Sequence, residues 1–201
     1  MISQLKTLSK ETIIYGVGNA AGSIVSFLLL PLYTKFLSPE DYGYLVIFSV
    51  FQSVVEITAV FGLSSGLFRY YLMAIEDVEK KLVMNTCFWT QTLFIAVLAI
   101  ITFPLAHQFS SLLFGTNALS RYFVIVTATG LLSAFGSFIF SFMRAQRKPV
   151  FFAVTQVVKV VLLMCANVYL VAVLHWSYSG ILIGNLIAFT IANINHPASD
   201  L

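Results

Sequence analysis

The chain is poor in charge. Only 9% of its 201 residues are Asp, Glu, Lys or Arg, where a soluble domain carries roughly 25%. With 59% of the residues hydrophobic and a mean hydropathy of +0.93, there is too little polar surface to cover the apolar side chains. A soluble globule is excluded. Cysteine is almost absent. Cys87 and Cys165 both sit in apolar stretches, without a CxxC or a Cys/His cluster, so neither a disulfide framework nor a zinc site is expected. His107, His175 and His196 are scattered near segment ends and read as interfacial residues rather than metal ligands. No Gly-rich phosphate loop ending in Gly-Lys-Ser or Gly-Lys-Thr occurs, and no HExxH or GxSxG. An ATP-driven pump and the common hydrolases therefore find no support. A non-enzymatic protein without cofactor or metal is expected. The net charge of +3 is explained by loop residues that set membrane topology, and no nucleic-acid partner is expected.

Six apolar segments are present, at about 13–36, 44–68, 83–106, 121–142, 151–174 and 179–194. Each is near the ~20 residues that cross ~30 Å of hydrocarbon. Backbone groups in lipid must be satisfied within their own segment, which requires helices. The expected class is an all-α polytopic transmembrane bundle. The first segment is too long for a signal-peptide core and is not followed by a small-residue cleavage site, so it reads as an uncleaved helix. With a cytoplasmic N-terminus, the inside regions hold Lys6, Lys10, Arg69, Lys80, Lys81, Arg144, Arg147 and Lys148, and the outside regions only Lys35 and Arg121. That asymmetry fits the positive-inside rule.

The first outside turn is signposted by Ser38, a good N-cap, by Pro39 at a first helical position, and by Glu40 and Asp41 at the positive end of a helix dipole. Segments one and two are expected to form a tight hairpin. The stretch Arg69–Lys81, with Glu76, Asp77, Glu79, Lys80 and Lys81, reads as a solvated interfacial loop. His107–Ser120, with Phe109, Leu112, Leu113 and Phe114, reads as a short helix on the membrane surface. Small residues recur every four positions: Gly18, Gly22 and Ser26; Ser133, Ser137 and Ser141; Gly180 and Gly184. Such spacing lets helix backbones approach closely. Pro31 should bend the first helix, either as a plain kink or as a hinge.

Two charges lie inside the spans. Glu56 is roughly 18 Å from either end of its segment, and Lys159 about 12 Å from the cytoplasmic end of its own. A charge at that depth costs at least ~2.5 kcal/mol and normally faces protein or water. Ser49, Gln52, Ser53 and Glu56 follow i, i+3, i+4, i+7 and share one helix face. Gln156, Lys159 and Asn167 lie near one face of segment five, and Asn19, Ser23 and Ser26 are polar positions of segment one. These stripes are expected to wall a hydrated cavity. The bland reading of Glu56 and Lys159 is a buried pair that fixes helix register at little net gain in stability. The functional reading, which we favour, gives Lys159 an anionic substrate group and Glu56 a coupling cation or proton.

The stretches YGVGN at 15–19, FLLLPLYT at 27–34, FLSPEDYG at 36–43 and FGLSSGLFRYY at 61–71 resemble the opening of bacterial polysaccharide flippases. These are the O-antigen and exopolysaccharide exporters of the multidrug/oligosaccharidyl-lipid/polysaccharide superfamily. Beyond residue 71 the likeness lies mainly in segment spacing and the basic loop RAQRKP at 144–149. The resemblance implies two six-helix lobes around a central cavity in the bacterial cytoplasmic membrane. It implies flipping of undecaprenyl-diphosphate-linked oligosaccharide, in company with polysaccharide polymerase machinery. It also implies basic cavity residues that receive the diphosphate: Lys159 first, with Gln156 beside it and Arg69 at the cytoplasmic mouth. Arg69 reads more readily as a positive-inside anchor. Residues 1–194 correspond to one lobe. The ending INHPASDL at 194–201 departs from the pattern and reads as the polar tail of a truncated product or fragment, with a C-terminal lobe missing. The rival expectations are a drug/cation antiporter of the same superfamily, which would favour an acidic cavity, and a non-transporting product or accessory subunit of a glycan assembly complex. A membrane glycosyltransferase would need acidic catalytic motifs that the loop around Glu76 and Asp77 does not supply.

Overall fold

A computed structural model describes residues 16, 20, 22–146 and 149–194. Lys6, Lys10, Gly18, Asn19, Arg147, Lys148 and the tail 195–201 lie outside the described residues. The elements are α1 (Gly22–Phe36), then α2 (Pro39–Val60), α3 (Leu63–Met73), α4 (Asp77–Thr102), α5 (Ala106–Phe114), α6 (Ser120–Ala145), α7 (Pro149–Val168) continued by a π-helical turn (Tyr169–Val173), and α8 (Ser177–Ile194). Among the described residues there is no strand. Among the described residues, four runs are long and apolar enough to cross a bilayer: Pro39–Met73, Asp77–Thr102, Ser120–Ala145 and Pro149–Val173. The described part of α1, and α8, are apolar but shorter. The chain is an all-α membrane protein.

The central element is α6. Within its span 61% of residues are buried, against 6–17% for the other three long spans. In lipid, helices associate through close packing rather than through apolar burial, and α6 carries the small residues this needs. Ser133, Ala134 and Ser141 are buried on it. A Cβ at Gly130 would lie 3.2 Å from the backbone oxygen of Gln52, so the glycine sets how closely α2 approaches. Of the expected small-residue faces, Ser133 and Ser141 are thus buried on α6 and Gly184 of α8 lies against Asn167 of α7.

Several local expectations meet the structure. Ser38 caps α2: its Oγ accepts from the Asp41 N–H at 3.1 Å, and the Ser38 N–H donates back to Asp41 Oδ2 at 3.3 Å. Ser177, the first residue of α8, donates its Oγ to the same Asp41 oxygen at 2.6 Å. One carboxylate therefore joins the starts of two helices. The expected short helix at His107–Ser120 is α5, with Phe109 and Phe114 turned toward α2 and α6. There Phe109 meets Phe51 with ring centroids 4.9 Å apart, Phe114 meets Phe48 at 5.5 Å, and Phe123 lies 5.9 Å from Phe114. The long interfacial loop expected at Arg69–Lys81 is corrected. Helix α3 runs through Arg69 to Met73, α4 begins at Asp77, and only Ala74–Glu76 is loop. Asp77 and Glu79 occupy the first turn of α4, where acids favour helix over loop.

The second apolar segment is not one helix. Phe61 (φ 41°) and Gly62 (φ 73°) both adopt the left-handed conformation and separate α2 from α3. For Phe61 this costs roughly 1–3 kcal/mol. Its ring stacks on Phe94 of α4 at 5.0 Å. Beside the break, the fully buried Gln91 donates Nε2 to the backbone oxygen of Ala59 at 2.9 Å, supplying a donor where helix-end carbonyls need one. Gln91→Leu should therefore lower stability by about 1 kcal/mol, measured by thermal unfolding in detergent. That is the low end of the usual ~1–3 kcal/mol for orphaning a buried group, because the unpartnered Gln91 Oε1 is removed as well. No loss of stability would show that the break holds itself.

Candidate functional site

A cavity of about 310 Å³ lies between α1, α2, α7 and α8. Helix α1 contributes Ser26 and Tyr33, seven residues and two turns apart. Helix α2 contributes Tyr42, Ser49 and Gln52, at the i, i+7, i+10 spacing of one face. Asn167 comes from α7 and Asn185 from α8, with Leu163 and Leu182 between them. The polar part of the lining is made of amides and hydroxyls.

Asn167 organises this lining. It is fully buried, and its Nδ2 donates to the Tyr33 hydroxyl at 3.1 Å and to Asn185 Oδ1 at 3.2 Å. One amide thus links α1, α7 and α8. Its Oδ1 has no partner and lies against Gly184, where an added Cβ would overlap it. Two residues further on, α7 loosens into the π-helical turn, closed by the Leu174 N–H donating to the Tyr169 oxygen at 3.2 Å. Such turns recur where a helix is bent to serve a site.

The two intramembrane charges form a second layer. Glu56 is four residues beyond Gln52 and accepts from Ser137 Oγ of α6 at 3.2 Å. The Lys159 ammonium sits 4.1 Å from the ring centroid of Phe189 and 5.6 Å from that of Phe140. Phe189 is one turn beyond Asn185 on α8, and Phe140 three residues beyond Ser137 on α6. Both charges thus occupy the same level, displaced from the amides toward the end of the bundle where α2 ends and α7 begins. They are near enough to attract one another. Among the described residues, however, the one ion pair within contact distance is Lys80 with Asp77, at 3.4 Å. A contact pair locked for register is therefore not what the side chains form. Each charge is instead held by a neighbour on α6 or α8.

The sequence-derived residues divide accordingly. Gln52, Ser49, Ser26 and Asn167 reach the cavity. Ser53 is exposed and donates to the Ser49 oxygen at 2.9 Å. Glu56 and Lys159 form the adjoining charged layer. Gln156 is half-buried on α7 and Arg69 exposed on α3, neither in the cavity lining. Sequence reasoning did not assign Tyr33, Tyr42, Asn185, Phe140 or Phe189 to the site. Asn185 carried a usable signal, as an amide inside an apolar segment. The two phenylalanines carried none among 19 in the chain.

Comparison with curated proteins and with solved structures returned no match. A family model described as "Polysaccharide biosynthesis protein" matches residues 32–195, which takes in the C-terminal end of α1 and all of α2 to α8. The chain is thus a member of the polysaccharide biosynthesis protein family, with a role in polysaccharide biosynthesis or export.

Proposed function

We propose that the protein is a lobe of a membrane carrier that flips lipid-linked oligosaccharide, of the undecaprenyl-diphosphate class, across the bacterial cytoplasmic membrane. The observation that carries this reading is the cavity between four helices of an apolar bundle, whose polar lining is made of amides and hydroxyls. Polar lining of that kind is expensive in a membrane unless something polar occupies or crosses it. Membership of the polysaccharide biosynthesis family supports the cargo class. The unequal loop charge supports a cytoplasmic N-terminus, with the Leu37–Ser38 turn outside. Alternating access, with two lobes rocking about the site, is the mechanism such carriers use. In it Lys159 would meet the diphosphate and Glu56 a coupling cation or proton. The protein acts as a carrier and makes no covalent bond.

The test is reconstitution of the full gene product in liposomes with a fluorescent polyprenyl-diphosphate saccharide, quenched from outside by an impermeant reductant. The carrier should raise the quenchable fraction above the half accessible in protein-free vesicles. No rise would remove the proposal. Transport of a cationic dye instead would favour the antiporter, and a change in the mass of the lipid would favour an enzyme.

A further inference from the structure

The cavity and the charged layer do different things. We infer that the cavity is a subsite for an uncharged, hydroxyl-bearing glycosyl residue, and that it excludes the anionic part of a lipid-linked precursor. The inference rests on the carrier reading above and names which portion of the cargo this site recognises.

The lining supplies the first argument. A primary amide offers two donors and an acceptor side by side, which suits adjacent sugar hydroxyls that both give and accept. Among the described residues, the Asn167 amide is engaged with Tyr33 and Asn185. No such bond takes up the amide nitrogen of Asn185 or the side chain of Gln52, and both line the cavity. Asn167 holds Asn185 and Tyr33 in place before any ligand arrives, so less ordering is left for the binding event. Tyr33 and Tyr42 add rings with an apolar body and a polar tip.

The second argument is the missing counter-charge. Among the described residues, no Lys or Arg lines the cavity. Lys159 is eight residues from Asn167, about 12 Å along α7, with its ammonium over Phe189. A diphosphate entering the cavity would lose water and gain no cation, a transfer that proteins avoid. The third argument is size. About 310 Å³ is at the small end of the roughly 300–1,000 Å³ of ligand sites, which suits a single ring rather than a chain of several.

The test uses the full chain in lipid nanodiscs, with Cys87→Ala and Cys165→Ala, and Ser49→Cys as reporter. Ser26→Cys on the opposite wall serves if Ser49→Cys fails to fold. Maleimide modification is timed with a neutral methyl hexoside, with inorganic pyrophosphate, or with sodium chloride against choline chloride. The hexoside should slow modification to a saturable plateau, and the two salts should not. Asn185→Leu should raise the half-protective hexoside concentration about fivefold, the effect of one lost hydrogen bond. Protection by pyrophosphate or by sodium without protection by the hexoside would overturn the assignment, and so would no protection at all. Protection without lipid flipping in the liposome assay would keep the subsite and remove the carrier. Flipping without protection would do the reverse.

Discussion

Gly184→Leu is expected to prevent stable assembly of the bundle. A Cβ at position 184 would already overlap Asn167 Oδ1, and leucine adds three more carbons between α7 and α8. The colliding atom belongs to a fully buried amide held by Tyr33 and Asn185. It therefore cannot swing aside without breaking both hydrogen bonds. Overpacking alone costs about 1–3 kcal/mol, and two broken buried hydrogen bonds add about 1 kcal/mol each. The measurement is folded yield and thermal unfolding of the purified protein in one detergent. Gly184→Ala, the milder change, allows a double-mutant cycle with Asn167→Ala. The loss caused by Gly184→Ala should largely vanish in the Asn167→Ala background. Equal losses in both backgrounds would mean that Asn167 is not what the glycine accommodates.

Lys159→Glu should be nearly as damaging, for electrostatic reasons. The ammonium now faces two aromatic rings, an attraction worth about 2 kcal/mol when water is excluded. An acid there would meet the negative faces of the same rings and the field of Glu56. An unpaired acid at mid-span costs a further ~2.5–3.5 kcal/mol on insertion scales. Folded yield should collapse, while Lys159→Met, which keeps the long stem, should retain most of it. The exchange Glu56→Lys with Lys159→Glu should recover part of the loss, because opposite charges again share one level. A Lys159→Glu protein as stable as the parent would show that the ammonium does not lie over Phe189.

What the sequence made legible was whatever depends on local pattern. Low charge and long apolar runs gave the all-α membrane class. Ser38, Pro39 and Asp41 gave the start of α2, because a cap needs only neighbours in sequence. Residues 49, 52 and 56 shared a face, but periodicity could not separate Gln52, which lines the cavity, from Glu56, which turns to Ser137. That division depends on where α6 and α7 stand. The break at Phe61 and Gly62 was hidden because a lone glycine in an apolar run does not end a membrane helix by itself. Its marker, Gln91, lies 32 residues from the Ala59 carbonyl it meets. The loop at Arg69–Lys81 was overdrawn because its charges belong to helix ends.

That break has a mechanical consequence. A rod of one helix turns as a whole, whereas α2 and α3 share a joint. Helix α3 is 11 residues long, an arm of about 16 Å. A swing of about 10° at Phe61 would carry Met73 about 3 Å, with Arg69 on the same arm. Gln52 and Glu56, on the other side of the joint, would stay where they are. Leu67, fully buried against Met84, Phe138 and Phe142, is the latch on that arm.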